Sequence, residues 1–193
     1  MYLSLLNAPI AKNKNLLRDE QEVHKALLTC FDCKREGASI LYRKDYSYDG
    51  SGIVMMVQSD IPPHETEVFS IEKCMNSDER NRKLVEGGHL FFNCRLQPTI
   101  KHNGRRIAIR KMEERGEWLY RKFHDSGSEV IDYTEYGRET ISFRHNNNKG
   151  MIETFIFQGH LKITDAEKFL KLYRKGIGAG KAYGCGMLIL AKE

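Results

Sequence analysis

Two periods of hydrophobic and polar alternation run along this chain and mark out its elements. Residues 1–8 (MYLSLLNA) predict a strand, followed by a Lys/Asn-rich loop at 11–15. Asp19 offers an N-cap with Glu22 three residues on, and Val23, Leu27 and Phe31 recur at every fourth position, which predicts a helix over about 19–31. On that helical wheel His24 falls between Leu17 and Leu27, inside the apolar stripe. Ser39–Tyr46 and Ile53–Gln58 flank Ser47-Tyr48-Asp49-Gly50 and predict a strand, a turn and a strand. A short strand near Val68–Ile71, a polar stretch and a strand at Leu90–Leu96 complete the first half.

The second half repeats this logic. A strand at 90–96 or 105–110 leads into an amphipathic helix over Glu113–Phe123, which holds the only tryptophan, Trp118. Glu139–Arg144 and Met151–Gln158 flank Asn146-Asn147-Asn148-Lys149-Gly150, predicting a hairpin with a polar, basic tip. Leu161–Ile163 extends the second run. Thr164 caps a helix over Asp165–Arg174, and Ala182–Leu190 makes the last strand. Two successive α+β units of about 90 residues, mostly antiparallel, predict two tandem ferredoxin-like (RRM-like) domains, over 1–92 and 93–193. Element order alone suggests the duplication; no residue-level repeat is present.

Composition narrows the class. The chain has 193 residues, 40% hydrophobic and 30% charged, with four prolines and sixteen glycines. That describes a globular chain large enough to bury a core without staples, and it excludes disordered, collagen-like and disulfide-scaffold classes. No apolar run approaches the ~20 residues of a membrane helix. Met1–Ile10 has no basic lead-in and is broken by Ser4, Asn7 and Pro9, so it reads as a strand rather than a signal peptide and points to the cytoplasm. Five cysteines, an odd number, argue for reduced thiols. Cys30 and Cys33 form a CxxC without a second pair; buried small hydrophobes are its commoner reading, a metal or redox pair the other.

The net charge is +5, and the second half carries the basic excess. Residues 95–124 hold Arg95, Lys101, Arg105, Arg106, Arg110, Lys111, Arg115, Arg121 and Lys122 against Glu113, Glu114 and Glu117. Such a run suits a polyanion through counterion release, and it equally suits a solvated basic face. The most distinctive segment is Lys175-Gly-Ile-Gly-Ala-Gly-Lys-Ala-Tyr-Gly-Cys-Gly186. Its spacing fits neither a phosphate-binding Walker loop nor a dinucleotide fingerprint. A helix C-cap at Gly176 remains, leading into a loop whose backbone N–H groups can approach an anion or another helix, with Lys181 adding charge. A cap plus a tight turn, with no ligand, is the plainer reading.

Gly176–Ala191, preceded by Phe157-Gln-Gly-His-Leu-Lys-Ile-Thr-Asp165, closely resembles the C-terminal signature of the CasE family, the repeat-processing endoribonucleases of type I-E CRISPR systems. The resemblance continues at Phe91-Phe-Asn-Cys-Arg-Leu-Gln-Pro-Thr-Ile-Lys101, at Gly104-Arg-Arg106, at Trp118-Leu119, at Met1-Tyr-Leu-Ser4 and at His24. It is weakest over 32–88. It implies two ferredoxin-like domains, metal-independent cleavage of precursor CRISPR RNA at the base of the repeat hairpin, and retention of the mature guide RNA beside other Cascade subunits. No cofactor, metal or membrane is implied.

By the same resemblance, His24 matches the family's catalytic histidine. Arg105, Arg106, Arg110, Arg144, Lys149, Gly176, Gly178, Gly180 and Lys181 are the expected RNA-binding residues. The chain departs from many members in having Gln21 where they have tyrosine and Asn93 where they have arginine. The chemistry asks for little: a base to take the proton of the ribose 2′-hydroxyl, an acid for the leaving 5′-oxygen, and donors for the phosphorane. An imidazole serves either proton-transfer step, worth typically ~10²- to 10⁴-fold. His145 lies in the basic hairpin, where RNA contact or plain exposure fits it better than acid–base chemistry. Tyr133, Tyr136 and Phe143 fit base stacking or cross-strand packing. Two rivals stand beside the nuclease: a non-catalytic RNA-binding scaffold subunit of the same fold, and a small-ligand site at the glycine loop.

Overall fold

A computed structural model describes residues 1–32, 35–145 and 148–192, without the side chains of residues 35, 36 and 145. Cys33 of the CxxC and the hairpin-tip residues Asn146 and Asn147 lie outside the described residues, as does the His145 side chain. The chain forms two compact units. One comprises 1–79, 141–152 and 182–184; the other comprises 80–140, 153–181 and 185–193. They do not follow a single cut at residue 92. The turn end of the late hairpin and three residues of the glycine-rich segment belong with the N-terminal half.

The first unit is built on strands β1 (Tyr2–Pro9), β2 (Leu41–Tyr46), β3 (Gly52–Ser59) and β4 (Ser70–Asn76), with helix α1 (Glu20–Leu28) and the single-turn helix α2 (Arg35–Ala38); the single-turn helix α3 (Asp78–Asn81) begins in this unit and ends in the second. Its sheet order is β2-β3-β1-β4, antiparallel at every pairing. Alternation supplies the core: Leu6 and Ala8 of β1 and Ile53, Met55 and Val57 of β3 pack with Val23 and Leu27 of α1. The second crossover, residues 60–69, carries no helix and is held by hydrogen bonds from Asp60 N–H to the Ala38 carbonyl and from His64 N–H to the Cys30 carbonyl. Cys30 is a buried free thiol, its pKa raised by burial, as a small core hydrophobe requires.

The second unit contains β5 (His89–Leu96), the hairpin β6 (Thr99–His102) and β7 (Arg105–Ala108), helix α4 (Met112–His124), the greater part of β8 (Ser128–His145) and β9 (Asn148–Ile163), helix α5 (Ala166–Lys175) and β10 (Leu188–Lys192). The main sheet reads β10-β5-β9-β8, with β6–β7 as a separate ribbon inserted before α4. Both predicted strand positions, 90–96 and 105–110, are therefore occupied, and only the first belongs to the main sheet. Phe92, Cys94 and Leu96 of β5 and Phe157 and Leu161 of β9 are buried, as are Trp118, Leu119 and Phe123 of α4 and Phe169 and Tyr173 of α5. The two tandem ferredoxin-like domains expected from element order are present.

Three local expectations change. The hairpin strands are much longer than Glu139–Arg144 and Met151–Gln158, because Gly137 and Gly159 let the neighbouring strand approach where a side chain would collide with Ile156 or the Asp132 carbonyl. Asp165, not Thr164, caps α5, its carboxylate accepting from Lys168 N–H, while Thr164 N–H bonds back to Gly127. Residues 182–187 are not strand: a short 3₁₀ turn spans Lys181–Tyr183, and Gly184 and Gly186 take positive φ before β10 begins.

Candidate functional site

In the first unit, the chemistry gathers at the start of α1. Asp19 has the extended backbone of an N-cap, and its Oδ1 accepts from Gln21 N–H at 2.9 Å. The same oxygen accepts from the backbone N–H of Arg144, 125 residues away, at 3.1 Å. Glu20, buried at the helix start, receives Lys44 Nζ. Tyr42 Oη, 3.3 Å from Glu20, donates to the Ala182 carbonyl at 2.8 Å, which ties the 182–184 segment to β2. Gly184, at φ +72°, lies where a Cβ would meet the Tyr42 ring at 3.2 Å.

His24 lies on the second turn of α1 and is half-buried, with Val23 and Leu27 closed over and Lys25 exposed. The sequence wheel places it inside the apolar stripe. The helix starts only at Glu20, so Leu17, 40% exposed in a preceding 3₁₀ turn, does not extend that stripe, and the imidazole stands at its margin. Beside the helix start is a cleft of about 340 Å³ lined by Arg18, Asp19, Phe143, Arg144, Lys149 and neighbouring hairpin residues. Phe143 stacks on Tyr183 with ring centroids 4.1 Å apart and planes 18° apart. Gly150 makes room for it: a Cβ there would come within 2.4 Å of the Phe143 ring. Burial, and next the Asp19 charge, raise the Tyr183 phenol above its ordinary pKa, so it stays neutral.

In the second unit, β6–β7, α4 and the glycine loop enclose a cleft of about 550 Å³ lined by Lys101, Arg106, Trp118, Arg121, Lys122 and Gly178, with no carboxylate among its lining residues. The Trp118 indole N–H donates to the Thr99 carbonyl at 3.1 Å, which fixes the ribbon against α4. Gly178 has φ +73°, and a Cβ there would stand 3.1 Å from the Trp118 ring. Gly176 caps α5 at φ 72°, donating to the Leu172 carbonyl, and Gly180 faces Gln97 and Cys185. Lys181 Nζ donates to the Lys175 carbonyl at 2.6 Å, so one of its donors completes the end of α5.

A family model described as CRISPR associated protein matches residues 1–192. The Cascade subunit CasE of Escherichia coli (strain K12) is 28% identical over 188 residues, covering 90% of this chain and 92% of that protein. The chain is a CRISPR associated protein of the CasE family. The CRISPR-associated endoribonuclease Cse3 of Thermus thermophilus is 26% identical over 122 residues, 56% of this chain and 58% of that one. A structure of the CRISPR endoribonuclease Cse3 bound to 19 nt RNA superposes with a TM-score of 0.86 at 21% identity, over 99% of this chain and 100% of that one.

In this CasE-family chain the expected site residues divide between the units. Arg144 and Lys149 share the cleft at the start of the helix that bears His24, and Arg106 and Gly178 share the cationic cleft of the second unit. Arg105 and Arg110 are exposed but line neither cleft; Arg105 precedes Arg106 on β7 and points to the opposite face of the ribbon. Lys101, Arg121 and Lys122 were legible only as part of a basic run. Two members of that run are scaffold instead. Arg115 is buried against both oxygens of Glu135 and over the Phe155 ring, and Arg95 is buried against Glu139. Asp19 was recognisable as a cap but not as the partner of Arg144, and nothing in the sequence singled out Arg18 or Tyr183.

Proposed function

We propose that this protein is a metal-independent endoribonuclease that binds the hairpin of CRISPR repeat RNA, cuts precursor CRISPR RNA, and holds the mature guide RNA as a subunit of Cascade. The observation that carries the reading is family membership along the whole chain, from residue 1 to 192. The half-buried His24 supports it locally, standing one turn beyond a helix start flanked by Arg18, Arg144 and Lys149.

In-line attack of the ribose 2′-hydroxyl on the adjacent phosphate forms one P–O bond and breaks the bond to the 5′-oxygen. The 2′-proton passes to a base, a proton returns to the leaving oxygen, and the products are a 2′,3′-cyclic phosphate and a 5′-hydroxyl. His24 carries one of these proton transfers, and the cations with the helix N-terminus stabilise the phosphorane. The second-unit cleft, together with Arg105, Arg110 and the glycine loop from Gly176 through Gly180 to Lys181, binds the RNA backbone. The reaction requires RNA, because DNA lacks the attacking hydroxyl. The protein acts in the cytoplasm, in keeping with the reduced thiols of Cys30 and Cys74.

The test incubates the protein with its repeat RNA in EDTA, beside His24→Ala and a substrate with a single 2′-deoxy at the cut. Wild type cleaves in EDTA, the deoxy substrate binds uncut, and His24→Ala loses ~10²- to 10⁴-fold in rate with binding retained. Unchanged cleavage by His24→Ala removes the histidine from the mechanism, and wild-type binding without cleavage makes the protein a scaffold.

A further inference from the structure

One carboxylate oxygen joins the helix that bears His24 to the basic hairpin. Asp19 Oδ1 takes the Gln21 N–H at 2.9 Å, an ordinary cap, and the Arg144 N–H at 3.1 Å, which no cap requires. The adjoining Phe143 is held by its stack on Tyr183 and by the space at Gly150. Arg144 is thus fastened at the start of α1, and its neighbour Phe143 is fastened to Tyr183 of the glycine-rich segment. Asp19 is also the one acid among the lining residues of a cleft with three cations, Arg18, Arg144 and Lys149. A carboxylate there opposes an RNA phosphate. Its place is understandable if one of its oxygens is occupied by two backbone donors and its work is geometric.

Resting on the nuclease reading above, we propose that Asp19 is a positioning residue for cleavage: it locks the Arg144 segment to the His24 helix, so that RNA seated on the hairpin meets the imidazole in register. A displacement of about 1 Å at a reacting group costs on the order of 100-fold in rate. The expected signature is therefore a loss of rate at unchanged affinity.

Three variants separate the clamp from the cap. Asp19→Ala removes both. Asp19→Ser retains a capping oxygen on a shorter side chain that cannot also reach Arg144. Asp19→Asn keeps an acceptor oxygen of the same length without the charge. Single-turnover cleavage at saturating repeat RNA is measured with affinity for the 2′-deoxy RNA and the thermal midpoint. Asp19→Ser should keep its midpoint and bind within about threefold of wild type while cleaving about 100-fold more slowly, and Asp19→Asn should recover to within about threefold. If Asp19→Ser does not fold, Asp19→Thr, which also caps, takes its place. Cleavage by the Ser variant at the wild-type rate overturns the proposal, as does a rate loss matched by affinity or an Asn variant that fails to recover. His24→Ala in parallel keeps the two claims apart. If wild type binds without cleaving, the nuclease reading fails; if His24→Ala cleaves normally, the histidine leaves the mechanism and the clamp on its helix fails with it; and if His24→Ala is inactive while Asp19→Ser is not, only the clamp fails.

Discussion

The two basic clefts hold nearly the same number of cations and differ in everything else. That of the second unit has four, Lys101, Arg106, Arg121 and Lys122, around an apolar floor of Trp118 and Gly178, and no acid lines it. That of the first unit has three cations, a carboxylate engaged by two backbone donors, and a stacked aromatic pair. Unopposed charge on a surface provides affinity that depends on salt and barely on geometry. A carboxylate set among cations and fastened to two elements provides geometry at some cost in affinity. Charge count alone would rank the second unit as the functional centre; under the proposed function its cleft holds RNA and the first unit carries the cutting.

The same contrast runs within the basic stretch 95–124, and three substitutions test it, from the strongest effect to the weakest. Arg115→Ala leaves the partly buried Glu135 carboxylate without its partner, and we expect a loss of about 2–4 kcal/mol in denaturant-measured stability. Lost RNA affinity at unchanged stability would instead return Arg115 to the RNA surface. Gly178→Ala forces a side chain into positive φ and against the Trp118 ring, and should lower stability by roughly 1–3 kcal/mol. A fully stable variant with weaker RNA binding would mean that the glycine serves the ligand rather than the loop. Arg106→Ala combined with Arg121→Ala should weaken repeat-RNA binding about tenfold at moderate salt and flatten the slope of log affinity against log salt by about two. An unaltered slope would show that the four-cation cleft does not hold phosphates.

Much of the fold was legible because its signals are local. Alternation in β1 and β3, the Asp19 cap, the fourfold spacing of Val23 and Leu27, and Gly176 at a helix end all depend on near neighbours, and each stands where the pattern put it. The misreadings arose where a distant segment decides. The predicted run begins only at Glu139, yet β8 starts at Ser128 and runs along the sheet edge, where one face meets solvent. Ala182–Met187 looked apolar enough for a strand, but its glycines turn the backbone before β10 can pair.

For the site, the family motif and His24 were visible in the chain itself, while the environment of each side chain was not. Nine basic residues between 95 and 124 look alike as letters, and only packing sorted the buried Arg95 and Arg115 from the exposed Arg106 and Arg121. The amino-acid order by itself determined the elements, their caps, the family and the candidate imidazole, since these rest on spacing within a few residues or on a shared motif. Tertiary structure alone decided that Asp19 meets Arg144 across 125 positions and that Phe143 meets Tyr183. A hydrogen bond or a ring stack needs atoms within a few ångströms, and no periodicity in the chain encodes which remote backbone will arrive there.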